Sequence, residues 1–361
     1  MGKVNLFSRI GLVILINFFI FLCLSNKVNA QDRRITFNNL NIEQGISQST
    51  IDVIFQDSKG YVWFGTNDGL NKYNGYDFKV YNYEYGEKSI SNNHISDIDE
   101  DSHGNMWITT IGGVSKLNPK NDEIKNYKVK DNSIGSNNAM EVLVTNENKV
   151  LVATDEGLYL YEENLDKFKK VLGENNDINC QYIYSIDEDS EGNIWLGLKK
   201  GVIKVSKNFK IIKTFPTSTE KNSLGEGEIY NVYCDDENGY VWVGSASSGL
   251  SKINTKTDEI TRYTHDLNDS KSIPNDNIGC IKKDSRGNVW IGTANGLAKY
   301  NKQSDNFNVY HHKIYDKNSL VNNNIKSLME DSKGLIWVGT YSGISIFDTD
   351  SKINHYKAGL D

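Results

Sequence analysis

The sequence predicts an all-β fold, a seven-bladed β-propeller of four-stranded blades. One short pattern recurs seven times, and six copies have the form Asp-x-x-Gly-x-x-Trp. The anchor positions lie 44, 44, 44, 47, 48 and 47 residues apart, at Trp63, Trp107, Leu151, Trp195, Trp242, Trp290 and Trp337. A period in the forties with strand-like copies is typical of propellers, in which one copy supplies a blade-sized unit that cannot bury its own faces alone.

The first thirty residues precede the repeats and have the features of a secretory signal peptide. Lys3 and Arg9 give a basic start, residues 10–24 are apolar, and a cleavage site of the A-x-A kind ends at Ala30. The apolar run is shorter than the ~20 residues that span a bilayer, which disfavours the alternative of an uncleaved anchor. We therefore expect residues 1–30 to be removed and residues 31–361 to form the propeller outside the cytoplasm, in the periplasm, at the cell surface or in the medium.

Composition excludes several classes of protein. The formal net charge of −7 argues against a nucleic-acid partner, because phosphate binding requires clustered Lys and Arg. Beyond Cys23 in the leader, the chain has Cys180, Cys234 and Cys280, an odd number without C-x-x-C spacing. We expect isolated, mostly buried thiols, no metal site and no cofactor.

Each repeat contains four strand signals in order. In the first copy, residues 51–56 form the innermost strand, the Asp57 turn follows, and the second and third strands and an outer strand end at Tyr81. Asp at the start of such a turn bonds its own backbone, and Gly takes a positive φ without steric cost. Asn148 holds the glycine position in the third copy, where Leu151 replaces Trp. The blade cores fall near 51–81, 95–127, 140–168, 183–215, 230–263, 278–310 and 325–356.

The six tryptophans have a structural interpretation. Exposed Trp rings can act as stacking platforms for sugars, but these six lie in mid-strand between apolar neighbours. A large flat side chain in that place fills the wedge between two sheets. We therefore expect buried packing residues at Trp63, Trp107, Trp195, Trp242, Trp290 and Trp337.

Two segments compete for the outer strand that closes the ring. The segment from Arg34 would complete the last blade beside the strand that starts at Gly343, and the segment from Lys352 also has the pattern of an outer strand. The sequence therefore offers eight outer strands for seven blades.

One face of the propeller is the predicted ligand site. Loops that lead into the innermost strands cluster there with the loops between second and third strands, around the mouth of the central channel. Both sets are rich in amides, hydroxyls and some aromatics, which suit a polyhydroxylated ligand, although the same residues also favour turns. The candidate ligand-binding residues are Asn93, His94, Tyr182, Asn277, Asn324, Asp68, Asn295 and Tyr341.

The sequence shows no catalytic cluster. It has no H-x-x-x-H pair, no G-x-S-x-G elbow and no glycine-rich phosphate loop, and His94 is the one histidine in a predicted mouth loop. Each Asp-x-x-Gly turn supplies a single carboxylate, which disfavours calcium binding. We expect no catalytic residues and no enzymatic activity.

The repeated pattern "DSKGYVWFGTNDGLNKY" resembles the two-component regulator propeller repeat. The resemblance covers nearly all of residues 31–361 and implies the extracytoplasmic sensor part of signalling proteins, commonly hybrid histidine kinases and sometimes diguanylate cyclases, many linked to polysaccharide sensing. Such relatives usually continue into a second propeller, an immunoglobulin-like domain, a transmembrane helix and an output domain, for which this sequence shows no signal. A membrane-bound signalling partner or a missing C-terminal transmitter is therefore expected.

These observations predict a ligand-sensing input module that binds an oligosaccharide or another polar ligand at the channel mouth. Two alternatives remain open at this stage. A streptogramin-lyase-like enzyme would need His94 beside paired carboxylates and a divalent metal. A secreted scaffold would need an exposed apolar patch of several hundred Å² for a protein partner.

Overall fold

The repeats fold into seven antiparallel sheets of four strands, and each sheet is one blade of a propeller. The computed structural model describes residues 35–40, 45–85, 88–173, 180–220 and 222–349. The predicted signal peptide and the segment from Lys352 lie outside these ranges. The blades belong to the unit Thr36–Thr349, in which the one described helical element is the 3-10 turn Val129–Asp131. No helix in the described ranges is long and apolar enough to cross a membrane.

The strands follow one another from the channel outward in every blade but the last. Strand β1 spans Asn38–Leu40. Blade 1 contains β2 (Val53–Gln56), β3 (Val62–Thr66), β4 (Gly69–Tyr73) and β5 (Phe78–Tyr81). Blade 2 contains β6 (Ile95–Glu100), β7 (Met106–Thr110), β8 (Gly113–Asn118) and β9 (Glu123–Tyr127). Blade 3 contains β10 (Ala139–Val144), β11 (Val150–Thr154), β12 (Gly157–Glu162) and β13 (Lys167–Leu172).

The remaining four blades repeat this order. Blade 4 contains β14 (Ile183–Glu188), β15 (Ile194–Leu198), β16 (Gly201–Val205) and β17 (Ile211–Pro216). Blade 5 contains β18 (Ile229–Asp235), β19 (Tyr240–Ser245), β20 (Leu250–Asn254) and β21 (Ile260–Tyr263). Blade 6 contains β22 (Ile278–Lys283), β23 (Val289–Thr293), β24 (Gly296–Asn301) and β25 (Asn306–Tyr310). Blade 7 contains β26 (Ile325–Glu330), β27 (Leu335–Thr340) and β28 (Gly343–Asp348), with β1 as its outermost strand.

The repeated turn between the first and second strands is held by its aspartate. Asp57 Oδ1 accepts the backbone N–H groups of Lys59 and Tyr61 at 3.1 and 2.9 Å, and Gly60 has φ +87°. Asn148, in the third copy, has φ +60°, as predicted for the glycine position. The turn geometry therefore survives in the copy that has lost its tryptophan.

The tryptophans pack between neighbouring blades. Trp63 is fully buried and shares a core with Ile95 and Met106 of blade 2. A Cβ on Gly65 would lie 2.6 Å from Ile95 Cγ2, so glycine permits the close approach of the two blades. The other five tryptophans are at most 7% exposed, which confirms packing rather than ligand stacking.

The N-terminal strand closes the ring. Strand β1 pairs antiparallel with β28, with Asn38, Asn39 and Leu40 opposite Ile346, Ser345 and Ile344. Phe37 is 3% exposed and its ring centre lies 5.0 Å from that of Phe347. Of the two predicted candidates, the segment from Arg34 therefore supplies the outer strand of blade 7.

Candidate functional site at the channel mouth

The innermost strands begin with a β-bulge in six of the seven blades, at residues 96, 140, 184, 230, 279 and 326. A bulge leaves one extra residue outside the ladder and redirects its side chain. Side chains at this position contact one another between neighbouring blades. Tyr184 contacts Tyr230 across blades 4 and 5, and Lys326 lies 3.8 Å from Asp52 across blades 7 and 1. The bulges thus bring residues of successive blades together where the channel opens.

An aromatic cluster forms the blade 4 and 5 side of the mouth. The rings of Tyr184 and Tyr230 meet edge to face with centres 5.1 Å apart. Tyr230 donates its hydroxyl to Glu228 at 3.0 Å, and Lys199 lies 3.6 Å from the same carboxylate. Burial, reinforced by Glu228, raises the pKa of both tyrosines, so their hydroxyls remain protonated donors.

Tyr182 extends this cluster and has an unusual backbone. Its ring centre lies 5.2 Å from Lys199 Nζ and the side chain is 42% exposed. Its φ of +53° is in the left-handed region, which is costly for an aromatic residue. Its N–H is bonded to the Asp155 carbonyl of blade 3 at 3.0 Å. The fold thus holds an exposed aromatic ring on a strained residue at the mouth, an arrangement that is enriched at binding sites.

A charged group forms the other side of the mouth. Asp52 pairs with Lys326, and its Oδ2 is buried with no hydrogen-bond partner. Burial raises the pKa of Asp52, while the nearby Lys326 and His94 oppose that rise. An unsatisfied carboxylate oxygen of this kind can accept a hydroxyl from a ligand.

The aromatic and charged groups lie on opposite sides of the ring. Blades follow chain order around the channel, and β2 of blade 1 contacts both β26 of blade 7 and β6 of blade 2. The junction of blades 4 and 5 is therefore opposite blade 1. A ligand across the mouth would meet a stacking surface on one side and a partly exposed charge pair on the other, a combination that suits polar, polyhydroxylated molecules.

The predicted loop residues lie around this mouth. The Asn93 carbonyl accepts the Gly69 N–H of blade 1 at 2.9 Å, which brings the loop before β6 beside the turn between β3 and β4. Asn277 and Asn324 accept backbone N–H groups of their own blades, at 3.0 Å in each case. The loops that lead into the innermost strands and the turns between second and third strands therefore share one face.

Several predicted side chains are occupied by local bonds. Asn93 Oδ1 accepts the Tyr83 N–H at 2.6 Å and its Nδ2 lies 3.4 Å from Asp68 Oδ1. Asn295 and Asn277 are exposed on the rim, and Tyr341 is 57% exposed. Of the eight candidates, Tyr182 joins the aromatic cluster and His94 joins the charged side, whereas the other six form the rim.

Sequence reasoning missed the residues that form the two walls. They are Tyr184, Tyr230, Glu228, Lys199, Asp52 and Lys326. Tyr184, Tyr230 and Lys326 occupy the extra position at the start of an innermost strand, which the prediction treated as ordinary strand. Alignment of the seven copies at that position would have shown tyrosines in the consecutive blades 4 and 5. It would also have shown a lysine in blade 7 and an aspartate in blade 1, which lie across the channel from those tyrosines.

Below the mouth, partly buried carboxyl groups connect successive blades. Asp99 Oδ2 accepts the Val144 N–H of blade 3, and Asp187 Oδ2 accepts the Cys234 N–H of blade 5, both at 2.6 Å. Burial raises the pKa of each to about 6, although these hydrogen bonds and Lys282 oppose the rise. Each inner strand otherwise presents unpaired N–H groups to the channel, and these carboxyl groups satisfy them.

A second pair of carboxyl groups behaves in the same way. Asp97 accepts the Val142 N–H at 3.1 Å and Glu141 accepts the Ile186 N–H at 2.8 Å. Burial raises the pKa of both carboxyls, and repulsion from Asp99 adds to the rise at Asp97 while repulsion from Asp97 adds to the rise at Glu141. These groups hold adjacent blades together, and their hydrogen bonds account for their presence without a catalytic role.

The geometry does not form the metal site that a lyase would need. Among the described residues, no three His, Cys, Asp or Glu side chains are grouped so that they could hold a metal ion. His94 lies near Asp52, but that carboxylate is paired with Lys326. Cys280 is buried, and burial raises the pKa of its thiol to about 12, which disfavours a nucleophilic role.

Five segments of the chain match the sequence model of the two-component regulator propeller family, at residues 45–68, 89–112, 177–200, 272–295 and 319–342. Each contains a lead-in loop, the innermost strand, the aspartate turn and the second strand. These segments are two-component regulator propeller repeats. The five matched segments are the copies that combine Asp-Ser-x-Gly with the Trp, whereas the copy with Leu151 and the blade 5 copy, which starts Asp236-Glu237, lie outside them.

Solved structures share the fold of these regulator propeller repeats. The extracellular domain of the putative hybrid two-component system BT3049 from B. thetaiotaomicron superposes with a TM-score of 0.73 at 24% identity over 87% of this chain and 42% of that one. BT4673 from the same organism gives 0.71 at 22% identity over 87% and 40%. A streptogramin B lyase gives 0.64 at 14% identity over 87% and 97%. This chain spans about two fifths of the length of these two extracellular domains.

A curated relative supports the same association. "Histidine kinase P4" of Formosa agariphila is 44% identical over 63 residues, which are 18% of this chain and 4% of that protein. The similarity therefore covers little more than one repeat. It connects a short part of this chain with a protein named as a histidine kinase.

Proposed function

We propose that this propeller is an exported sensing module of a two-component-type signalling system, which recognises an oligosaccharide or a related polar ligand at the channel mouth. The observation that carries the proposal is the pairing of an aromatic wall (Tyr182, Tyr184 and Tyr230) with a charged wall (Asp52, His94 and Lys326) on one face. The likeness to extracellular domains of putative hybrid two-component systems supports the signalling role.

The chemistry of the two walls favours a sugar over an apolar ligand. Tyrosine rings stack on the faces of sugar rings and their hydroxyls donate, whereas Asp52 Oδ2 is a buried acceptor without a partner. The module itself would bind and not react, because the described mouth residues include no nucleophile with a base and no metal ligand set. Output would come from a membrane-bound partner or from a transmitter domain joined to the propeller.

A thermal-shift and calorimetric screen of the purified chain against oligosaccharides tests the proposal. A ligand at 100 times its Kd should add about 2.7 kcal/mol of stability. We expect Tyr230→Ala and Lys326→Met to abolish the response, whereas Tyr76→Ala should not, since Tyr76 is 90% exposed in the turn before β5.

Three outcomes would contradict the proposal. Turnover of a ligand by the chain would show an enzyme. A response to divalent metal that depends on His94 would favour the lyase-like alternative. A screen in which no oligosaccharide binds, combined with capture of one defined exported protein, would favour a scaffold.

A further inference from the structure

The face opposite the mouth carries a cleft between blades 5 and 6. This turn face is formed by the turns between first and second strands and by those between third and fourth strands. The cleft has a volume of about 590 Å³, within the range of small-molecule sites. Its walls include Tyr240, Trp242, Lys252, Tyr300 and Asp305. It is separate from the channel mouth, and nothing in the proposed sensing site uses it.

The cleft contains a buried donor that lacks an acceptor. In five blades the repeated Trp donates its indole N–H to the turn aspartate six residues earlier, at 2.9 to 3.0 Å. Trp242 is 1% exposed, and its Nε1 has no hydrogen-bond partner. Within the described ranges, Asp52 Oδ2 is the only other buried side-chain nitrogen or oxygen atom without a hydrogen-bond partner.

A longer turn explains why the acceptor is missing. Asp236 stands six residues before Trp242 and fits the sequence pattern, but it is exposed and accepts the Ser190 N–H of blade 4 at 2.8 Å. Asp235 takes the buried position instead, opposite Tyr240 at the end of β18. Its Oδ1 accepts from Lys283 of blade 6 at 2.8 Å, so the carboxylate serves another partner.

The neighbouring lysine has lost the same carboxylate. In blade 4, Asp189 Oδ2 accepts both Trp195 Nε1, at 3.0 Å, and Lys204 Nζ, at 2.9 Å. The equivalent Lys252 in blade 5 lies 3.0 Å from the Tyr300 hydroxyl and 3.5 Å from Asp305 of blade 6.

The lysine of blade 5 nevertheless lies at nearly the same distance from the Trp ring as its counterpart in blade 4. Lys252 Nζ is 5.5 Å from the Trp242 ring centre, compared with 5.1 Å between Lys204 Nζ and the Trp195 ring centre. Blade 5 therefore keeps the lysine beside the tryptophan, as in blade 4, but lacks the carboxylate that accepts from both side chains there.

We propose that this cleft is a second ligand site, which binds a carboxylated sugar of the uronic acid class. The ligand carboxylate takes the place that Asp189 occupies in blade 4 and accepts from Trp242 Nε1 and Lys252 Nζ. Charge-assisted bonds of this kind are the strong ones, and a carboxylate can accept both.

The rest of the cleft suits the sugar ring. Tyr240 and Tyr300 supply aromatic faces, and the lining amides Asn301 and Gln303 can donate to and accept from hydroxyl groups. Asp305 already accepts the hydroxyls of Tyr263 and Tyr300, both at 2.6 Å, so it holds the second wall in place. A neutral hexose would offer Trp242 Nε1 no anionic acceptor and would form no charge-assisted bond with Lys252 Nζ, and should bind more weakly.

Calorimetric titration of the purified chain with glucuronate, galacturonate and glucose tests the proposal. We expect saturable binding of at least one uronate and at least tenfold weaker binding of glucose. Trp242→Phe keeps the ring and removes the N–H, and Lys252→Met keeps the stem and removes the charge, so each should weaken uronate binding about 10- to 100-fold. The matched control is Trp290→Phe, whose indole N–H donates to Asp284 at 2.9 Å.

Four results would overturn it. The first is an absence of saturable uronate binding up to roughly 10 mM, and the second is equal affinity for glucose and uronates. The third is unchanged uronate binding in both blade 5 variants. The fourth is loss of uronate binding in the mouth variant Tyr230→Ala while Trp242→Phe retains it. Thermal melting of each variant checks folding, and Lys252→Met decides the test if Trp242→Phe does not fold. Because the mouth variant is included, failure of this site and failure of the sensing site give different patterns.

Discussion

The Asp57 carboxylate of blade 1 holds its turn through one oxygen and the buried indole of Trp63 through the other. Oδ1 accepts two turn N–H groups, and Oδ2 accepts the indole N–H at 2.9 Å. The repeated aspartate thus connects the surface turn to the core between blades. Five blades share this bond, and blade 5 does not.

Removal of a turn aspartate should therefore affect the core. We expect Asp284→Ala to lower the free energy of unfolding by about 2–4 kcal/mol, because the Trp290 indole and the turn N–H groups lose their buried acceptor. Asp236→Ala is the control and should cost less than about 1 kcal/mol, because Asp236 is exposed and bonds only the turn of blade 4. Urea denaturation measures the free energy of unfolding of both variants. Equal losses of stability would refute the role of the turn aspartate in the core.

The channel carboxyl groups should make stability depend on pH. Because the folded-state pKa values of Asp99 and Asp187 are raised to about 6, the folded chain binds more protons than the unfolded chain from about pH 4 to pH 6. Their stabilising contribution is complete below the unfolded pKa and is lost as pH rises through about 6. We expect Asp99→Asn and Asp187→Asn each to raise stability at pH 8 relative to pH 4.5, on the order of 1 kcal/mol.

Melting temperatures at pH 4.5, 6 and 8 measure this effect. The exposed Asp77→Asn is the matched control and should leave the slope between pH 4.5 and pH 8 unchanged. Asp97, Glu100 and Lys282 are titratable groups that interact with Asp99, and Glu141 and Lys282 interact with Asp187. If the two channel variants retain the pH slope of the unmodified chain, the burial argument is wrong.

Closure of the ring should depend on Phe37. Phe37 packs on Phe347 and Tyr310, with ring centres at 5.0 and 6.3 Å, and its N–H donates to the Asn318 carbonyl. We expect Phe37→Ala to cost about 3–5 kcal/mol through the cavity that it leaves. Val80→Ala on an outer strand should cost well under 1 kcal/mol, since Val80 is 37% exposed. Hydrogen exchange should show the largest loss of protection in blade 7, and uniform loss in all blades would contradict this.

Replacement of Tyr182 should raise the stability of the fold and weaken ligand binding. Asn tolerates the left-handed backbone better than Tyr, so Tyr182→Asn should stabilise the fold by about 0.5–1 kcal/mol. The same change removes an exposed ring of the mouth and should weaken ligand binding. Denaturation and titration on one sample measure both effects. A variant that is less stable than the unmodified chain would show that the ring contributes packing that outweighs the strain.

The repeat period and its turn chemistry were sufficient to predict the fold. Seven anchors, the glycine or asparagine turns and the buried tryptophans all occur as predicted. The walls of the candidate site were not predicted, because they depend on β-bulges and on contacts between blades, such as Tyr184 with Tyr230. The blade 5 exception was also hidden, since Asp236 satisfies the sequence pattern while Asp235 holds the buried position.

The pairing of β1 with β28 also bears on how the gene can change. Because the sheet that closes the ring is assembled from both ends of the propeller, duplication or deletion of one complete repeat between them leaves the same two strands as partners. Each repeat also carries its own turn, its own Trp or Leu and its own contacts to the next blade. Unequal crossing-over between copies could therefore alter blade number without requiring a new way to join the ends.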